Sequence, residues 1–181
     1  QVVEIMGEAA GELADGFHFL PLAELVLDVP SLIQRLSELA GDSLVAATQI
    51  EPLHTGSELA GLVIDGTPVH AQRIVLSAGA GNAGLLKALG LAQPAQQLRP
   101  LHMVLAKGPA LKPLYAHCLG GGTKPRVTVT SHPAADGQWV WYLGGDIAEA
   151  DGVARDEAQQ IKAAQLEMAE LLPWVDQSQT R

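Results

Sequence analysis

Glycines 79, 81 and 84, in the run Ile74-Val75-Leu76-Ser77-Ala78-Gly79-Ala80-Gly81-Asn82-Ala83-Gly84, satisfy the spacing G-x-G-x-x-G. In that pattern a tight turn lets backbone N–H groups approach a phosphate, and a following helix aims its positive N-terminus at the anion. The chemistry would be nucleotide binding. Ile74 to Leu76 read as a strand entering the glycines, and Leu85, Leu86 and Leu89 as a short helix leaving them. A dinucleotide fingerprint also asks for an Asp or Glu about 20 residues on, to hold a ribose. That place holds Leu98-Arg99-Pro100-Leu101-His102-Met103, with no acid. A small self-sufficient dinucleotide-binding module is therefore disfavoured, and a glycine-rich connection without a ligand is the plain alternative.

Other polar constellations carry less. None of the six histidines is paired at metal-ligand spacing, so no metal site is expected. Ser131 and His132 are neighbours in an apolar-alternating run, so they point to opposite faces and cannot form a hydrolytic pair. Gly120-Gly121-Gly122-Thr123-Lys124-Pro125 leads into a strand rather than a helix, which rules out a phosphate loop and leaves a flexible connection.

The elements that must hold these residues read as α+β. Leu32, Ile33, Leu36, Leu39 and Ala40 recur at helical spacing behind Pro30, with Gly41 as a stop, so Ser31 to Ala40 is a helix. Leu59 to Ile64 and Thr67 to His70 flank Asp65-Gly66, a pair suited to a type I′ turn. A second hairpin joins Val127 to Ser131 with Gln138 to Leu143, putting Trp139, Trp141 and Leu143 on one face. Near the end, Asp156 with Gln159 suggests a capping box, and Ile161, Ala164, Met168, Leu171 and Leu172 form a helical stripe that stops at Pro173.

Composition sets the bounds. The 181 residues are 48% hydrophobic, enough for one sizeable core or two small ones. A net charge of −9 without a basic stripe, and only two Phe and two Tyr for stacking, disfavour nucleic-acid partners. No apolar run approaches the ~18 residues of a membrane span. The lone Cys118 excludes an internal disulfide and fits a cytoplasmic setting.

The order Leu27-Asp28-Val29-Pro30, helix, strand near Leu44 to Pro52, hairpin at Asp65-Gly66 and then Ala78-Gly79-Ala80 resembles flavin-dependent oxidoreductases of the D-amino-acid oxidase type, including glycine oxidase and the glycerol-3-phosphate dehydrogenase-like proteins. Gln97 to His102, Val127 to His132 and Trp141 to Gly145 resemble one branch of that family. The resemblance implies an antiparallel or mixed sheet in a substrate domain with flanking helices, plus part of an FAD-binding domain. Its implied divisions are 1–41, opening the substrate domain and leading back to the FAD domain; 42–93, a partial FAD-binding domain with the return strand Arg73 to Gly79; and 94–181, the substrate domain.

It further implies FAD as the cofactor of a longer parent that oxidises a small amine, amino acid or hydroxy compound by hydride transfer. Ile50, Ala78, Gly79 and Ala80 would approach the cofactor with their backbone, and Gly81 and Asn82 would open the next helix. Arg99, His102, His132 and Tyr142 are the substrate candidates. A guanidinium binds a carboxylate in bidentate fashion, and imidazole moves protons near neutral pH. The chain departs from the pattern in lacking the opening strand and phosphate-binding turn, and in having no closing cofactor segment. The expectation is an internal fragment, proteolytic or engineered, that lacks tight FAD binding and self-associates through an uncovered cofactor side. A noncatalytic interaction domain exposing the Trp139 and Trp141 face is the remaining alternative.

Overall fold

The structure, a computed structural model, describes His18, Leu20, Leu22, Ala23 and residues 25–181. It divides into two compact units, one of them Leu27–Arg99 and the other containing Pro100–Arg181.

The first unit opens with α1, Val29–Ala40. Asp28 caps it, its carboxylate accepting from the Ser31 backbone N–H at 3.4 Å, and Pro30 occupies the first turn, where a missing N–H costs nothing. The helix ends at Gly41, whose φ of +50° suits glycine. Its apolar stripe is present as expected, yet none of its residues is buried, and Ile33, Leu36 and Leu39 are exposed.

A three-stranded antiparallel sheet follows, in the order β1 (Ile50–Thr55), β2 (Glu58–Ile64), β3 (Thr67–His70). The turn between β2 and β3 is the expected one, with Asp65 at φ +45° and Gly66 at +81°. The Asp65 carboxylate also reaches back to the chain before β1. It accepts from the Gln49 N–H at 2.7 Å and from the Thr48 hydroxyl at 2.7 Å, which holds it below the usual carboxylate range. Gly61 lies where β3 crosses β2 most closely, since a Cβ there would stand 2.0 Å from the Val69 carbonyl oxygen.

Two expected strands differ from the structure. The segment expected as Leu44 to Pro52 joins a ladder only from Ile50. The expected return strand Arg73 to Gly79 has no ladder; residues 73–78 carry no strand assignment, and a 3-10 turn follows at Gly79–Gly81. A strand is defined by a neighbour that shares its hydrogen bonds, and no described segment pairs with residues 73–78. Helix α2, Asn82–Ala88, then forms as expected. Gly90, at φ +68°, stops it, with Gly90 N–H donating to the Lys87 carbonyl and Leu91 N–H to the Leu86 carbonyl.

The second unit is a four-stranded antiparallel sheet, in the order β4 (Val104–Gly108), β7 (Trp139–Gly144), β6 (Pro125–Pro133), β5 (Ala116–Leu119). Helices α3 (Ala150–Ala154) and α4 (Glu157–Leu171) follow. Alternation sends Ala106, Val127, Val129, Trp141 and Leu143 into a core shared with Ala164, Met168, Leu171 and Leu172 of the C-terminal segment. Fully burying Val127 or Leu143 stabilises the fold by about 1.5–3 kcal/mol each. The Trp face is therefore packed rather than displayed; Trp141 is 2% exposed, with its indole N–H donating to the Lys112 carbonyl at 2.7 Å. That removes the surface on which the noncatalytic alternative rested.

The capping box of α4 is present, and of its expected stripe Ala164, Met168, Leu171 and Leu172 are buried, with one departure. Ile161 is exposed, and Gln160 takes the inner position at 1% exposure. The Gln160 amide donates to the His102 carbonyl at 2.7 Å and to the Ile147 carbonyl at 2.9 Å, and its oxygen accepts from Arg155 at 3.0 Å. Those carbonyls need a donor that no apolar side chain supplies.

Candidate functional site

The face of the second sheet opposite the core gathers several polar side chains. Pairing across the strands sets Thr130 opposite Tyr142, Tyr142 opposite Leu105, and His132 opposite Val140. His117 on β5 stands opposite Thr128. Because strand side chains alternate, Thr128, Thr130 and His132 share the face opposite Val127, Val129 and Ser131.

His132 and Tyr142 meet there, with ring centroids 4.4 Å apart and planes inclined by 45°. That packing restricts both rings, while Tyr142 stays 37% exposed. Ser131, the inward neighbour of His132, fixes the strand beneath them. Its hydroxyl accepts from the Leu114 N–H and donates to the Leu114 carbonyl, both at 2.7 Å, and its own carbonyl accepts from the Tyr115 hydroxyl at 3.1 Å. The sequence offered His132 and Tyr142 separately as substrate candidates, and the structure brings their rings together.

His102 and Arg99 fare differently. Both precede β4, which begins only at Val104, so neither is on a strand. The His102 Nδ1 stands 3.0 Å from the Gly152 carbonyl oxygen, which can only accept, so that nitrogen carries the proton. Its backbone N–H donates to the Ala148 carbonyl at 2.8 Å and its carbonyl is held by Gln160. His102 therefore ties β4 to the helical segment behind the sheet. Arg99 is exposed and belongs to the first unit.

In the first unit a cleft of about 260 Å³ is lined by Ile50, Pro52, Leu62, Ile74, Leu76, Ala78, Leu85 and Leu89 among others. It brings Ile50 and Ala78, distant in sequence, to one apolar slot. Of the three glycines beside it, Gly79 has a positive φ of +55°; within the chain itself a side chain at Gly81 would make ordinary contact with Ala78, and one at Gly84 would meet open space. Asn82 is a staple, its side chain accepting from the Ala78 N–H at 2.8 Å and donating to the Leu76 carbonyl at 3.2 Å. The Gly79 carbonyl accepts from the Gln96 amide at 2.8 Å. Ala80 lies within the same exposed 3-10 turn.

Ion pairs tie the second unit's strands to their surroundings. Arg126 on β6 reaches Glu170 at 2.6 Å and Glu167 at 2.9 Å, and Lys107 reaches Asp136 at 2.6 Å, which lowers the Asp136 carboxyl. Burial pushes the Cys118 thiol up to about 11, so it stays protonated at neutral pH and is no nucleophile. Among the described residues no His, Cys, Asp or Glu cluster could hold a metal ion, and no helix is long and apolar enough to cross a membrane.

No family model matches the chain. Over 160 residues, 88% of its length, it is 68% identical to the probable FAD-dependent oxidoreductase PA4991 of Pseudomonas aeruginosa. The crystal structure of that protein superposes with a TM-score of 0.85 over 88% of this chain. The chain is closely related to that part of an FAD-dependent oxidoreductase. It spans 41% of the relative's length. The mixed α+β architecture, antiparallel sheets with flanking helices, is shared with that structure.

Proposed function

We propose that this chain supplies the substrate-facing sheet and part of the cofactor-binding unit of a cytoplasmic FAD-dependent oxidoreductase of the D-amino-acid oxidase type, acting on a small amine, amino acid or hydroxy compound. The observation that carries the reading is the meeting of His132 and Tyr142 on the face of the second sheet that the core leaves open, in a chain closely related to a flavin enzyme.

The cleft at Ile50 and Ala78 suits the flat adenine end of FAD. Its walls are mainly aliphatic, as a stacked ring requires, and it is edged by the backbone of residues 76–78. Ile50, Ala78, Gly79 and Ala80 would form that side of the cofactor site, with Gly81 and Asn82 shaping the turn behind it. When bound, the flavin would accept a hydride from the substrate carbon. The chain's own work is positioning. Tyr142 would donate a hydrogen bond from its phenol to a substrate oxygen or nitrogen. His132, held against it, would accept the proton released from the amine or hydroxyl as the C–H bond is oxidised. Leu105 and Thr130 flank the pair and would set the shape of the pocket wall. Arg99 remains a candidate for a substrate carboxylate.

The test uses the full reading frame that contains this chain. The purified protein is expected to carry flavin, and a panel of amines, amino acids and hydroxy acids is screened anaerobically for bleaching of the flavin absorbance. With a substrate in hand, Tyr142→Phe and His132→Ala should each slow bleaching by about tenfold or more while flavin content is unchanged. Unaltered bleaching in both variants would refute the assignment of this face.

A further inference from the structure

We infer that the face bearing His132 and Tyr142 takes a straight aliphatic chain in a notch over Gly144, and that Met103 is the movable cover of that notch. The inference rests on the reading of His132 and Tyr142 given above, and it assigns their substrate an unbranched apolar tail. On β7 the positions that share this face are Val140, Tyr142 and Gly144. Val140 pairs with His132 and fills its end of the row with a branched side chain. Gly144 lies about 7 Å along the strand from Tyr142 in the other direction and contributes none. A tail leaving a group held by Tyr142 therefore meets a wall at Val140 and bare backbone at Gly144. Glycine inside a strand often marks a place where a ligand comes close to the backbone.

Two side chains close over the notch from either side. Thr128, the partner of Gly144 across the ladder, places its Oγ1 2.9 Å from where a Cβ would stand, and the Met103 Cε lies 3.4 Å from the same point. Gly144 is buried beneath them, whereas Met103 is 42% exposed. The two covers differ in stiffness. Thr128 is β-branched and restricted at its first torsion, while methionine is unbranched and turns about three bonds. Met103 also lies on the side of the sheet away from Val127 and Leu143, so it can swing aside without disturbing the core. An aliphatic chain laid over Gly144 replaces the contacts of the departing methyl with its own, which keeps the cost of uncovering the notch small. A branched tail would instead collide with Thr128.

The experiment uses the flavin-loaded protein of the full reading frame. Anaerobic bleaching is measured with straight-chain primary amines, 2-amino acids and 2-hydroxy acids whose alkyl tails grow from methyl to hexyl. Met103→Ala is expected to raise the rate ratio of the hexyl to the methyl member by about tenfold or more, and Gly144→Ala, which fills the notch, to lower it by a similar factor. A purely structural defect would depress every tail length alike. An unchanged ratio in Met103→Ala overturns the inference, whether or not Gly144→Ala folds. A second readout needs no turnover. Methionine methyl groups are isotopically labelled, and the Met103 resonance, identified by its loss in Met103→Ala, is followed during titration with hexylamine, hexanoate and hexanol. A saturable shift is expected, and it should be absent with methylamine, acetate and methanol. Lack of a hexyl-dependent shift overturns the notch even where the flavin is bleached. If no member of the series bleaches the flavin while the shift is present, the notch stands and the substrate reading of this face falls.

Discussion

Replacing Gln160 by leucine would isolate the hydrogen bonds that hold the helical layer to the sheet. The substitution keeps the side-chain volume and adds apolar surface at a site 1% exposed, so packing alone predicts no loss. The polar consequences are larger. The His102 carbonyl would lose its 2.7 Å partner, and the Ile147 carbonyl would keep only Arg155, at 3.3 Å. A buried acceptor left without a donor costs about 1–3 kcal/mol. Two such groups, one fully and one partly orphaned, together with loss of the Arg155 contact, give about 2–4 kcal/mol. All three tryptophans lie at positions 139, 141 and 174, so their fluorescence reports the second unit alone. Urea unfolding followed by that signal should show Gln160→Leu less stable by this amount with an unchanged slope. Gln159→Ala, which removes only the exposed side-chain acceptor of the Asp156 N–H and keeps the Gln159 N–H bond to the Asp156 carboxylate, should cost no more than about 0.5–1 kcal/mol. If Gln160→Leu were no worse than Gln159→Ala, the bridging role assigned to the buried amide would be wrong.

Gly61→Ala forces a Cβ onto the Val69 backbone, so β3 must peel away; amide exchange should accelerate at Val69 and His70 while the tryptophan signal of the second unit stays native. For Asp65 the folded carboxyl lies below its unfolded value, so the unfolded chain binds protons first on acidification. The stability that its hydrogen bonds give is complete above the unfolded value near 3.8 and is lost as pH falls through the depressed one. Thr48 and Gln49 amide protection should fall across that acid range, and Asp65→Ala should show low protection at every pH; an acid-insensitive wild type would refute the linkage.

The sequence was most legible where local physics suffices. Asp28 and Gly41 bracket α1, Asp65-Gly66 forces a turn, and the Asp156 and Gln159 pair starts α4, each through bonds spanning a few residues. The alternation in β6 and β7 also gave the right inner face, where Trp141 and Leu143 are buried. What failed was long-range. Ile161 looked like the inner residue because it is apolar, whereas the carbonyls of residues 102 and 147 select an amide from far along the chain. His102 was read from its neighbours in sequence, which could not show that its Nδ1 meets the Gly152 carbonyl, 50 residues away.

Strands β6 and β7 carry two interleaved texts. Val127, Val129, Ser131, Trp141 and Leu143 hold the fold, while Thr128, Thr130, His132 and Tyr142 stand on the other side of the same backbone. Because the period is two, one set can be rewritten while the other is left untouched. A lineage, or a library, can therefore explore new surface chemistries at alternate codons of a single hairpin without drawing on the residues that keep it folded.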